Sequence, residues 1–116
     1  MVRLKRVYEA PRAEDGFRVL VDRLWPRGLS KPKARVNLWL KEVAPSDSLR
    51  RWFAHDPKKW PQFQRRYREE LKKAPAALEA LRSLKQKENP LTLLYAAQDP
   101  VRNNAVVLAE LLRRSG

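Results

Sequence analysis

Two short runs of this chain, Phe17-Arg18-Val19-Leu20-Val21-Asp22 and Leu91-Thr92-Leu93-Leu94-Tyr95-Ala96, are apolar almost throughout instead of at alternate positions. A strand with that pattern has to be covered on both faces, because either face left open would hold apolar side chains in water. The stretch between the two runs carries the cover. Ser46 reads as a helix N-cap, with Asp47 in the favourable first turn and Leu49, Trp52 and Phe53 spaced i, i+3, i+4. His55-Asp56-Pro57 ends that helix and starts the next, with Asp56 as N-cap and Pro57 at its first position. Trp60, Phe63, Tyr67 and Leu71 then form one apolar stripe at helical spacing. Pro61 inside a helix would clash with the carbonyl four residues back, so this helix either begins near residue 60 or has a distorted first turn. Pro75 opens a further helical stretch carrying Ala77, Leu78, Leu81 and Leu84. Asp99-Pro100 repeats the N-cap and first-position pair before a closing helix with Ala105, Leu108, Leu111 and Leu112 on one face.

Two weaker strand signals complete the pattern. Val2 to Tyr8 places Val2, Leu4 and Tyr8 at even positions, and Val36 to Lys41 alternates strictly, with Val36, Leu38 and Leu40 on one face. Arg23 to Pro32 is broken by Pro26, Gly28 and Pro32, yet it holds Trp25 and Leu29, which a plain surface loop would not need. Strands separated by helical runs predict an α/β fold, a single three-layer domain with a mostly parallel central sheet of about four or five strands flanked by helices. A length of 116 residues is common for one domain, so residues 1–116 are expected to form only one.

The absence of cysteine rules out disulfides and thiolate metal sites, and with His55 as the single histidine it also rules out zinc clusters and a Cys–His dyad. There is no glycine-rich phosphate loop, GxSxG elbow or HExxH. No cofactor is identified, and the one metal the composition leaves open is a magnesium ion held by Asp22 and Asp99, which the spacing does not require. The N-terminus lacks a secretory apolar run and no stretch is long enough to span a membrane, so the expected location is cytoplasmic. The formal net charge is +13 and is uneven: residues 1–73 carry 20 Lys/Arg against 9 Asp/Glu, and residues 74–116 carry 6 against 4. A field of that sign draws polyanions, phosphorylated ligands or acidic surfaces.

In an open parallel sheet, ligands bind beyond the carboxyl ends of the strands, where helix N-termini also point. On that rule the strand ending at Asp22 delivers Arg23, Trp25, Arg27 and Gly28. The strand near Lys41 delivers Lys41, Glu42 and Ser46, and the strand ending at Ala96 delivers Gln98, Asp99, Asn103 and Asn104. Arg23, Arg27 and Lys41 would converge with two helix starts on one rim, a site for an oxyanion or phosphate. Asp22 and His55 are further functional candidates. Each has a plainer reading: Asp22 as a structural ion pair with Arg23, the four tryptophans as core, His55 as a helix-end residue and Asp99 as an N-cap. Trp25, flanked by arginines in a broken loop, is the tryptophan with the strongest claim to a stacking role.

The segments Arg18-Val-Leu-Val-Asp22-Arg-Leu-Trp-Pro-Arg-Gly28, Leu38-Trp-Leu-Lys-Glu-Val-Ala-Pro-Ser46, Trp52-Phe-Ala-His-Asp-Pro57 with Trp60, and Leu91-Thr-Leu-Leu-Tyr-Ala-Ala97 followed by Asn103-Asn-Ala-Val-Val-Leu108 closely resemble the YeaO-like proteins, which belong to the family known as domain of unknown function 488. The resemblance runs from about residue 3 to residue 114. It implies a compact α/β domain of bacteria and archaea with no established activity, and Asp22, Arg23, Trp25, Pro26, Arg27 and Gly28 as its signature loop. It also implies a basic residue where Gln98 stands and a histidine where Arg102 stands. This chain departs at both, which counts against proton transfer at the second.

The charge points first to a nucleic-acid partner bound along a basic face, with Trp25 or Trp60 stacking on a base. The alternative is an enzyme or binding domain that holds a phosphorylated small molecule or nucleotide in a strand-end pocket. A third reading is a non-catalytic protein-interaction module, and assembly into an oligomer is left open. No membrane partner is expected. A concave site with a few polar anchors favours the pocket, and a continuous basic stripe favours nucleic acid.

Overall fold

The computed structural model describes residues 1–114. Four strands form one sheet in the order β1-β4-β2-β3, with β1 Val2–Arg6, β2 Phe17–Leu20, β3 Leu38–Trp39 and β4 Leu91–Tyr95. Every pairing is parallel; Leu93 stands between Leu4 of β1 and Val19 of β2. The helices are α1 Lys31–Ala34, α2 Asp47–Phe53, α3 Trp60–Lys73, α4 Pro75–Lys87 and α5 Asn104–Arg114. Short 3-10 turns cover Ala13–Asp15, Lys41–Val43 and Pro57–Lys59. The fold class is α/β, as the two doubly apolar runs predict, and β4 is buried at every position.

The two-residue period of the strands sorts their side chains into two layers. Val2, Val19, Val21, Leu91, Leu93 and Tyr95 face the main core with Phe63, Tyr67, Leu81 and Leu108 of the long helices. Leu20 and Leu94 face the other way, onto Val7, and are covered by Trp25, Leu29, Val36 and Trp39. The broken segment after β2 is therefore the third layer, which explains its two large apolar residues. The same face carries a buried charge cluster further along. Asp15 accepts hydrogen bonds from Arg18 at 2.5 Å and Lys5 at 2.9 Å, and Arg18 also donates to the carbonyls of Ala34 and Arg35. This pins α1 to the amino end of β2.

Local signals behave as their chemistry dictates. The Ser46 hydroxyl accepts from the Leu49 N–H, and Asp56 caps the turn at Pro57. α3 begins at Trp60, so Pro61 falls in its first turn, where no carbonyl opposes its ring. Three expectations are corrected. Asp99 does not cap α5; it closes its own turn by accepting from the N–H groups of Val101 and Arg102, and Asn103 caps the helix through Val106 N–H. The strand expected over 36–41 pairs only at Leu38 and Trp39, because Leu40 already leads into the 3-10 turn. Leu38 is exposed, while Val36 joins Trp39 in the third layer and Leu40 packs against the main core, so the three alternate residues do not share a buried face.

Candidate functional site

Parallel strands put all their carboxyl ends on one rim, and that rim holds an open cleft of about 1260 Å³. Its walls include five arginines, Arg6, Arg23, Arg27, Arg50 and Arg51, with His55 and the two carboxylates Asp22 and Asp99. Arg23 comes directly off β2. Its Nε donates to Pro45 O at 3.0 Å and its terminal nitrogen to Ala44 O at 3.4 Å. A guanidinium has five N–H donors, so Arg23 is held in place with donors to spare. Arg50 and Arg51 sit in the last turn of α2 and share the exposed carboxylate of Asp47, at 3.0 and 3.2 Å. Among the described residues, the Arg27 guanidinium has no hydrogen bond or ion pair.

After α2 the backbone takes two left-handed residues in succession, Ala54 at φ 45° and His55 at φ 59°. That conformation is unfavourable for non-glycine residues, though histidine tolerates it better than most. The turn brings His55 to the cleft wall.

Asp22 closes the strand ends. Its Oδ2 accepts the Ala96 N–H at 2.9 Å, and Asn104 donates to Val21 O at 2.9 Å beside it. Burial pushes the Asp22 carboxyl above the usual carboxylate range, only partly offset by the Ala96 N–H and the Asn104 amide. The plainer reading of an ion pair with Arg23 does not hold: among the described residues no ion pair joins the two, and Arg23 donates instead to the Pro45 and Ala44 carbonyls. Asp99 is the opposite case. The N–H groups of Val101 and Arg102 and the Arg102 side chain hold it below its ordinary value, the Val101 contribution being the largest.

Of the expected site residues, the structure gathers Asp22, Arg23, Trp25, Arg27, His55, Asp99 and Asn103 around this one cleft. Trp25 is nonetheless mainly a core residue: it packs edge-on to Trp39 at 5.5 Å, and its indole N–H donates to Leu29 O. Asn103 is also occupied, capping α5 and donating to Asp99 O. Gly28, Lys41 and Ser46 lie outside the cleft. Gly28 serves the turn, with φ 76° and nothing within 4 Å of where a Cβ would be. The Lys41 ammonium sits over the Trp39 ring at 4.5 Å, and the Ser46 hydroxyl is bonded to Glu70. The expectation missed Arg6, Tyr8, Arg50 and Arg51. Arg6 and Tyr8 were within reach of the same strand-end rule applied to β1, whereas the α2 arginines depend on how that helix sits.

Among the described residues, no three His, Cys, Asp or Glu side chains are grouped to hold a metal ion, and no helix is long and apolar enough to cross a membrane.

A family model described as the inactive DUF488-N3 subclade matches residues 1–115. The chain is 47% identical over 111 residues to uncharacterised proteins of Mycobacterium tuberculosis and Mycobacterium bovis, covering 96% of this chain and 92% of each relative. It is 40% identical over 112 residues to the uncharacterised protein YeaO of Escherichia coli, covering 97% of this chain and 96% of that one. No solved structure matches significantly.

Proposed function

This chain belongs to the YeaO-like DUF488 family, and we propose that it binds the phosphate of a small ligand in the strand-end cleft. The observation that carries this reading is the charge of the walls: five guanidiniums against two carboxylates, with Arg23 pre-oriented by backbone carbonyls and Arg27 unengaged. Guanidinium forks match phosphate oxygens in pairs, and a site whose donors are already held loses less freedom on binding. Binding without covalent chemistry is favoured by the lining, which among the described residues holds no Ser, Thr, Cys or Lys side chain. Of the aspartates, histidine and tyrosine that could act as nucleophiles, Asp22 accepts the Ala96 N–H, Asp99 closes its own turn and Tyr8 donates to the Arg27 carbonyl. The half-buried Asp22 has one oxygen engaged by the Ala96 N–H, and the matching subclade is described as inactive.

The test is calorimetric titration of the full chain with inorganic phosphate and ribose 5-phosphate. Saturable binding at one site is expected, weakened about 10-fold or more by Arg23→Ala and by Arg27→Ala, since each removes a charge-assisted bond. Absence of saturable binding at low salt would refute the reading.

The net charge of +13 favours a second reading, nucleic acid along a basic face. Arg65 and Arg66 on α3 are available for it, with Arg66 lying 4.3 Å over the Trp52 ring. The two readings differ in salt dependence, steep for a tracked backbone and shallow for one phosphate in a cleft.

A further inference from the structure

The two ends of the cleft differ in chemistry. Toward β3 and α2 lie Arg23, tied to Pro45 and Ala44, and the α2 pair Arg50 and Arg51. Toward β1 stands Tyr8, 40% exposed, with the Arg6 guanidinium 4.7 Å from its ring centroid. The Tyr8 hydroxyl donates to Arg27 O at 2.8 Å, and Arg6 Nε donates to the carbonyls of Ala96 and Ala97. Both planar groups are thus tethered to backbone carbonyls, Tyr8 on the loop after β2 and Arg6 on the segment after β4. β4 lies between β1 and β2, so the carboxyl ends of those two strands stand about two strand spacings, about 10 Å, apart, and Tyr8 reaches back across that gap to the Arg27 carbonyl.

A bare phosphate has no use for a fixed aromatic plane on the cleft wall. A ligand with a planar π-system at one end and a phosphate at the other uses both. Resting on the phosphate reading above, we infer that the cleft takes a nucleoside phosphate, with the base against the Arg6–Tyr8 stack and the phosphate among Arg23, Arg27 and the α2 pair Arg50 and Arg51. The span matches a base joined through a ribose to a 5′ phosphate group. Gln98, exposed on the cleft wall after β4, adds an amide for the polar edge of a base. Stacking accepts any base, so the arrangement selects for the presence of a base more than for its identity.

The experiment compares AMP, ribose 5-phosphate and inorganic phosphate by calorimetry on the full chain, with Tyr8→Ala and Tyr8→Phe. AMP should bind at least about 10-fold more tightly than ribose 5-phosphate to the wild type. Tyr8→Ala should remove the advantage of AMP over ribose 5-phosphate, while Tyr8→Phe, which keeps the ring and loses the tether to Arg27, should retain most of it. Equal affinity for AMP and ribose 5-phosphate overturns the inference and leaves the phosphate reading standing. A Tyr8→Phe variant as deficient as Tyr8→Ala also overturns it, because Tyr8 would then act only through Arg27. Failure of all three ligands to bind removes the phosphate reading itself.

Discussion

Replacing Asp15 with asparagine should be the most damaging near-isosteric change outside the cleft. The Asp15 side chain is 6% exposed and that of Arg18 only 4%, with Lys5 at 14%, so the carboxylate neutralises two cations that have little contact with water. An asparagine there would keep the shape and still accept one bond, but both cations would lose their counter-charge. Breaking a buried pair in this way costs about 3–5 kcal/mol, because the remaining charge is left desolvated. Lys5 can swing toward solvent more readily than Arg18, which places the expected loss nearer 3 kcal/mol, about the lower end of that range. For a domain of this size about 4 °C of melting temperature goes with each kcal/mol, so a fall of about 12 °C is expected. Urea and thermal unfolding followed by circular dichroism would measure it.

The pH dependence provides a second check. Burial by itself raises the Asp15 carboxyl, but bonds from Lys5, the Arg12 N–H and Arg18 outweigh it and leave the group below its ordinary 3.8. A depressed acid stabilises the fold above its unfolded value and loses that contribution as pH falls through the folded value. The gap between wild type and D15N should therefore be full above about pH 5 and narrow steadily below 3.8. A loss under about 1 kcal/mol at pH 7, or a gap that ignores pH, would refute the reasoning. The cluster sits at the amino end of β2, opposite the cleft, so ligand binding well below the melting temperature should be unaffected.

Asp22 predicts the reverse pH behaviour: its carboxyl is raised, so the wild type should lose stability as pH rises through that value, and D22N should be at least as stable as wild type at pH 7 by urea unfolding. D22A should instead lose about 1–3 kcal/mol, since the Ala96 N–H is left without an acceptor; equal losses in D22N and D22A would contradict this. At Gly16, φ is 66° and a Cβ would collide with the Pro90 carbonyl oxygen, so Gly16→Ala should lower the melting temperature far more than Gly28→Ala, whose Cβ meets nothing and which should cost about 1 kcal/mol. For the nucleic-acid reading, engaging a quarter of the 20 basic residues in 1–73 would make log K fall with log salt at a slope of about −4 in oligonucleotide titrations. Arg65→Ala combined with Arg66→Ala should then flatten that slope, and a slope near zero in the wild type would dispose of backbone tracking.

What the chain states locally is its elements. Ser46 and Pro75 announce helix starts and Asp56 the turn before α3, because a cap or a first-turn proline acts within three or four residues, and the doubly apolar runs at 17–22 and 91–96 identify buried strands because each residue's own hydropathy decides its side. The strand-end rule follows from parallel pairing, and it reaches Asp22, Arg23, Arg27 and Asp99 of the cleft without help from tertiary contacts. Asp99 also shows where local logic ends: Asp-Pro is a good cap pair, but the turn it closes stops at Arg102, and Asn103 caps α5 instead. Only the tertiary structure decided that β4 inserts between β1 and β2, which sets Arg6 and Tyr8 two strands away from Arg23 along the shared rim. It alone turned Trp25 and Trp39 onto each other, drew Lys41 onto Trp39 and out of the cleft, and buried Asp15 with Arg18. The physical reason is range. Capping and periodicity are settled by hydrogen bonds and solvation within a turn or two, whereas strand order and side-chain partners are settled by which distant surfaces exclude water together.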